Sequence, residues 1–121
     1  MLAHQIRVVG IKTHDVRFPT SLDNVGTDAV HTDCDYSATY VEIFTDNPRL
    51  LGIGLTFTIG KGNDLCVSCI DYLKPFILNK TVYELENNMQ DIWLQCTNHS
   101  QLRWLGPEKG VVHLAVAALF N

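Results

Sequence analysis

A chain of 121 residues with a formal charge of −4, 46% apolar and 18% charged residues, has the composition of one soluble globular domain. It is too short for a TIM barrel, which needs about 250 residues. Its 9 Lys and Arg are scattered and outnumbered by 13 Asp and Glu, which argues against a nucleic-acid surface.

The first residues, MLAHQIRVVGIK, lack the apolar core and small-residue cleavage site of a secretory signal. Nothing before Ile6 has the length or Arg-rich character of a transit peptide. No window approaches the roughly 20 apolar residues of a membrane helix, so no membrane span is expected. Two sequons, Asn79-Lys80-Thr81 and Asn98-His99-Ser100, are read as chance matches in the absence of a secretory route. The four cysteines are read as reduced thiols of an intracellular protein.

Taken in order, Ile6 to Phe18 alternates imperfectly and is rich in β-branched residues, which predicts a strand. Val16 to Tyr36 then carries no apolar period and is dense in polar groups, with Pro19 and Gly26 as punctuation. A loop of that length is a lid, a binding loop or slack chain. Ala38 to Thr45 returns as a strand with Tyr40, Glu42 and Phe44 on one face and Val41 and Ile43 on the other. Asp46-Asn47-Pro48-Arg49 is a turn, and Leu51 to Ile59 a third strand. The tight turn makes the last two antiparallel. Gly52 and Gly54 within the third strand predict a bulge or a close backbone neighbour.

From Gly60 the period becomes helical. Cys66, Cys69, Ile70, Leu73 and Phe76 share a stripe, with Pro75 and Asn79 marking its kink or end. Thr81 and Glu84 fit a capping box. Val82, Leu85, Met89, Ile92, Trp93 and Cys96 then predict one second amphipathic helix. A loop from Thr97 to Lys109 carries Arg103, Trp104 and Gly106-Pro107. Gly110 to Asn121, GVVHLAVAALFN, is apolar nearly all round and lacks a stop signal. Such a helix is either buried on every side or belongs to a larger protein; the chain reads as cut in mid-helix, the alternative being an ordinary buried C-terminal helix. Strands followed by helices define an α+β domain: a three-stranded antiparallel meander and about three helices, residues 1–121 forming one domain.

Cys66-Val67-Ser68-Cys69 has redox spacing, yet both thiols lie on the apolar stripe, where Cys behaves as a small hydrophobe. Cys34 and Cys96 offer no second pair for zinc. GLTFTIGKG at 54–62 has the wrong spacing for a phosphate loop, with Gly62 where Ser or Thr is needed. His113 on the apolar helix reads as a core or interface histidine. No Ser-His-Asp or paired-carboxylate arrangement stands out from spacing alone.

Three stretches taken together, VRFPTSLDNVGTDAVHTDCDYSATYV, GLTFTIGKG and QLRWLGPEKGVVHLA, resemble the amino-terminal part of the L-fuconate dehydratases of the enolase superfamily. The resemblance spans nearly the whole chain, and strings such as RFPTS and GPEKGVVHLA are dictated by no fold. It implies a capping domain over a carboxy-terminal barrel that these residues do not contain. It implies a hydro-lyase that removes the proton α to a sugar-acid carboxylate, forms a Mg²⁺-stabilised enediolate and loses the β-hydroxyl to give a 2-keto-3-deoxy acid. The base and the Mg²⁺ ligands would lie on the barrel, so this chain is expected to bind no metal and to be inactive alone. It further implies an acid-sugar substrate, a homo-oligomer and, from vertebrate members, a mitochondrial location.

By the same resemblance, substrate contacts map to Gly26, Thr27, Asp28 and Tyr36. Gly26 lets backbone approach a ligand, Thr27 contributes through its backbone, Asp28 accepts from sugar hydroxyls and the Tyr36 phenol donates to a carboxylate or hydroxyl. From the residues alone, Asp28 could equally hold a turn and Tyr36 pack on the following strand. Departures from the family fall at Asp23-Asn24-Val25, in place of a Gly-rich, His-containing stretch, at Cys34, in place of proline, and in a 46–49 turn one residue shorter. They bear on the loop's resting conformation and on the preferred sugar. A different class of function, a non-catalytic module binding partners through the apolar C-terminal helix, stands as the alternative.

Overall fold

The computed structural model describes Leu2, residues 5–98, 101–105 and 109–121, with Arg103 described in its backbone only. Strands β1 (Val8–Arg17), β2 (Ser37–Thr45) and β3 (Leu51–Thr58) form one antiparallel sheet in the order β1-β2-β3. Helices α1 (Asn63–Leu73), α2 (Val82–Asn87), α3 (Met89–Thr97) and α4 (Val111–Phe120) follow, with 3-10 turns at Thr20–Asp23, Lys74–Phe76 and Leu102–Leu105.

The register places Thr13, Val41 and Gly54 in line on the inner face, and His14, Tyr40 and Leu55 in line on the outer. Pairs directly opposite in an antiparallel ladder share a face, so the expected division of Tyr40, Glu42 and Phe44 from Val41 and Ile43 holds. Val8 and Val41 join Ile70, Leu73, Ile77, Ile92 and Cys96 in the core, closed by Val112, Ala115, Val116, Ala118 and Leu119 of α4. Gly54 sits where α4 crosses β3, and a Cβ there would overlap the Ala118 carbonyl. That is the close backbone neighbour its glycine announces.

One helix expectation changes in detail. The segment after the capping box is two helices rather than one: Asn88 (φ −118°, ψ 22°) ends α2, its N–H donating to the Glu84 carbonyl, and starts α3. With the axis broken, Ile92 and Cys96 reach the core, while Met89 and Trp93 are exposed. Trp93 instead meets His113 edge to face, ring centroids 6.0 Å apart. The capping box itself forms as expected, with Glu84 N–H donating to the Thr81 hydroxyl and Thr81 N–H to the Glu84 carboxylate. Asn79 ends the preceding turn at φ 67°, and residues 79–82 run alongside the start of β1 through Val8 N–H to Lys80 and Val82 N–H to Ile6.

The apolar helix α4 spends its face internally. This removes the basis for a partner-binding module built on it, since Val112, Ala115, Val116, Ala118 and Leu119 are all buried within the chain. Gly106, Pro107 and the His99 and Ser100 of the second sequon lie outside the described residues.

Candidate functional site at the β1–β2 loop

Beyond the last ladder pair, Arg17 opposite Ser37, the two ends of the loop are stitched together. Phe18 N–H donates to the Tyr36 carbonyl at 3.1 Å. The Thr20 hydroxyl donates to the Cys34 carbonyl at 3.0 Å and accepts from Tyr36 N–H at 2.9 Å. Asp35 accepts from the Ser21 hydroxyl at 2.6 Å and the Ser21 N–H at 3.1 Å, which hold its carboxyl below the usual range. Cys34 is buried beneath.

The turn between β3 and α1 closes on the same base. Asp35 N–H donates to the Ile59 carbonyl at 3.2 Å, and the Lys61 ammonium lies 2.6 Å from the Asp33 carboxylate. Gly60, at φ 107°, leaves just enough room for the Asp35 carbonyl, which a Cβ would meet at 3.0 Å. A cleft of ≈ 210 Å³ opens between the two segments, lined by Arg17, Ser21, Asp33, Asp35, Gly60 and Lys61 among others.

One fully buried side chain supports this end of the sheet. Asn63, at the start of α1, donates to Asp15 at 2.6 Å and to the Ala38 carbonyl at 3.3 Å, and accepts from the Thr58 and Thr39 hydroxyls at 3.0 and 3.1 Å. Asp15 in turn receives Arg17 through two bonds of 2.9 and 3.0 Å. Arg17 first, and Asn63 second, hold the Asp15 carboxyl below its ordinary range. Nothing in the sequence pattern around Asn63 marks it, because three of its partners, Asp15, Ala38 and Thr39, lie on strands remote in the chain.

Of the residues the resemblance selected, Gly26 and Tyr36 are brought together. Gly26 is left-handed (φ 73°), and a Cβ there would overlap the Tyr36 hydroxyl. The Tyr36 ring packs edge to face on Phe57, centroids 5.6 Å apart, and remains partly exposed. The Thr27 hydroxyl is engaged with the Asn24 carbonyl at 2.9 Å. Asp28 Oδ1 accepts from the His31 and Val30 N–H groups at 2.7 and 2.8 Å; these bonds, His31 first, lower its pKa. Its Oδ2 faces the His31 ring at 3.4 Å. Asp28 therefore holds a turn and Tyr36 packs on β3, with the Asp28 side chain exposed and that of Tyr36 partly so. Sequence reading passed over the loop's exposed apolar side chains, Leu22, Val25 and Val30.

Cys66 and Cys69 are free and buried. Burial pushes the Cys66 thiol up and that of Cys69 to about 11, the opposite of an activated redox pair. Among the described residues no cluster of three or more His, Cys, Asp or Glu could hold a metal ion, and no helix is long and apolar enough to cross a membrane.

With its three-stranded antiparallel sheet backed by helices and its long loop at the open end, this chain matches an enolase-type amino-terminal capping domain in fold. In sequence it is 51% identical over 116 residues to mitochondrial enolase superfamily member 1 of Bos taurus, and 44% identical over 117 residues to the L-galactonate dehydratase of Hypocrea jecorina. These matches cover 95% and 97% of this chain but 26% of either relative. The chain thus spans about a quarter of the length of the curated relatives it matches. The crystal structure of human mitochondrial enolase superfamily member 1 superposes with a TM-score of 0.89 at 48% identity, over 95% of this chain and 26% of that one. L-talarate dehydratase from Polaromonas, solved with Mg and L-glucarate, shares the fold alone, with a TM-score of 0.59 at 14% identity over 93% of this chain and 26% of that one. No family model matches.

Proposed function

We propose that this chain is the substrate-facing cap of an acid-sugar hydro-lyase of the L-fuconate dehydratase type, acting in mitochondria. The observation that carries the reading is the pairing of Gly26 with Tyr36. A left-handed glycine is needed there because the Tyr36 hydroxyl occupies the space of a side chain. The pairing holds the phenol at the surface of the loop while its ring is braced on Phe57.

The roles follow from hydrogen-bond chemistry. Asp28 is kept anionic by two backbone donors, so it accepts and cannot donate, and Oδ2 selects a hydroxyl of the sugar chain. Tyr36 donates to a neighbouring oxygen of the same ligand, and the backbone at Gly26 and Thr27 closes over it. The overall reaction removes the α proton and the β-hydroxyl as water, leaving a 2-keto-3-deoxy acid. Mg²⁺ would stabilise negative charge on the substrate carboxylate. The described residues offer no set of ligands that fits it, so we assign it, with the base, to a barrel outside these 121 residues. Relatives named for dehydration of a sugar acid support this class of substrate.

Incubating the chain with L-fuconate and Mg²⁺ is expected to give no keto acid; measurable product would overturn the assignment of the chemistry to another domain. Titration with L-fuconate should shift the NMR signals of Gly26, Asp28 and Tyr36, and shifts confined to other residues would refute the loop assignment. Amide exchange should be fastest between Asp23 and Asp33, as expected of a lid without its partner surface. Strong protection there would count against a lid.

A further inference from the structure

The β1–β2 loop is built as two bodies. Residues 18–27 and 34–36 form the first. Asn24, left-handed at φ 55°, ends the Thr20–Asp23 turn, its N–H donating to the Ser21 carbonyl and the Val25 N–H to the Thr20 carbonyl at 3.0 Å. This is the paired closure that ends a helix at a left-handed residue. Thr27 bonds back to the Asn24 carbonyl, while Thr20 and Ser21 bond across to Cys34, Asp35 and Tyr36. Residues 28–33 form the second body. Asp28 closes this turn on itself, accepting from the Val30 and His31 N–H groups and donating its own N–H to the His31 carbonyl at 2.9 Å. Among the described residues, what ties the turn sideways to the rest is the Cys34 thiol, a weak donor 3.6 Å from the His31 carbonyl, and the ion pair of Asp33 with Lys61.

This division separates the two side chains assigned to the sugar. Tyr36 stands on the first body, against Gly26 and Phe57, and Asp28 on the second. We propose that Lys61 is a positioning residue: anchored in the β3–α1 turn, its ammonium latches residues 28–33 through Asp33 and so sets the separation of Asp28 from Tyr36. The anchor is firm. Gly60, next to Lys61, donates its N–H to the Thr58 hydroxyl at 3.2 Å, and that hydroxyl donates to the buried Asn63 side chain at 3.0 Å. The latch itself is weak. It joins, at 2.6 Å, side chains that are 83% and 65% exposed, and exposed pairs contribute little and are screened by salt. Arg17, the other cation lining the cleft, is engaged by Asp15 and does not replace it. Both halves of the latch belong to this chain. It bears on specificity through the sugar-facing role proposed above, on which its purpose rests, but it is tested without any sugar.

Amide ¹⁵N relaxation of the chain at roughly 20 mM and roughly 500 mM NaCl is the experiment. At low salt residues 29–33 should be as ordered as the strands, and at high salt their order parameters should fall below about 0.6, while residues 18–27 and 34–36 stay unchanged. Lys61→Met and Asp33→Asn should each give the low values at both salt concentrations, and Lys61→Arg should restore the salt dependence. Equal order at 29–33 in both salts overturns the latch, as does order retained in Lys61→Met, or a Lys61→Met that loosens Tyr36 as much as Thr32. A titration with L-fuconate that leaves Asp28 and Tyr36 unmoved refutes their ligand role alone; salt-independent order at 29–33 refutes the latch alone.

Discussion

At the scale of single residues, glycine and asparagine carry this molecule's specificity. Gly26→Ala forces an L side chain into a left-handed conformation, at about 1 kcal/mol, and into the Tyr36 hydroxyl as well. The expected outcome is a lower melting temperature together with loss of the Tyr36–Phe57 ring contact in NMR spectra. Asn63→Ala strips Asp15, Ala38 and Thr58 of a partner in a buried place where every described side-chain nitrogen and oxygen now has one. It should cost at least about 3 kcal/mol in urea denaturation. The two sites differ in how visible they were. Gly26, Thr27, Asp28 and Tyr36 are singled out only because a long polar string resembles a known family; spacing alone leaves Asp28 as a turn residue, which structurally it is. Asn63 was invisible because its bonds to residues 15, 38 and 39 are created by the tertiary fold.

At the scale of elements, local rules did well where local physics decides. The capping box at Thr81, the turn at Asn79 and the alternation of β2 depend on neighbours within a few residues, and all were readable. The break at Asn88 was missed because the apolar period runs through it without interruption. Gly54 lies between these cases: glycine in a strand signals a near neighbour, but only the fold shows that the neighbour is the Ala118 carbonyl. Gly54→Ala should therefore lift α4 off β3 and cost at least the roughly 1–3 kcal/mol of an overpacked core. Gly52→Ala, whose Cβ would meet an Ile43 side-chain carbon at 3.3 Å, should cost less. Equal losses at the two glycines, measured by thermal unfolding, would contradict this account.

At the scale of the whole molecule, several carboxylates titrate below their ordinary range. Asp15, Asp28, Asp33, Asp35 and Glu84 are each held down by hydrogen bonds, from Arg17, His31, Lys61, Ser21 and Thr81 respectively as the leading cause. A folded pKa below the unfolded value gives stability that is complete above the unfolded value, near 4, and is lost as pH falls through the folded one. The urea midpoint should thus be level from neutrality to about pH 5 and fall below about pH 4. As pH falls through the same range, Val30 and His31 amide exchange should slow less than base-catalysed exchange alone predicts, as Asp28 releases them. Asp28→Asn should abolish that local excess.

The contact between Gly54 and Ala118 also has a bearing on the order of folding. Five of the core's buried side chains come from α4, which packs mainly on β3, an edge strand of a sheet made more than fifty residues earlier. Emerging from the ribosome, the β3 side of the meander's core face lacks its cover until residues 111–120 have been made. The domain thus folds late in its own synthesis, through contacts of high sequence separation. A nascent chain halted at Gly110 should remain protease-sensitive across all three strands, and one extended past Asn121 by an unstructured linker long enough to clear the exit tunnel should become resistant at a single length.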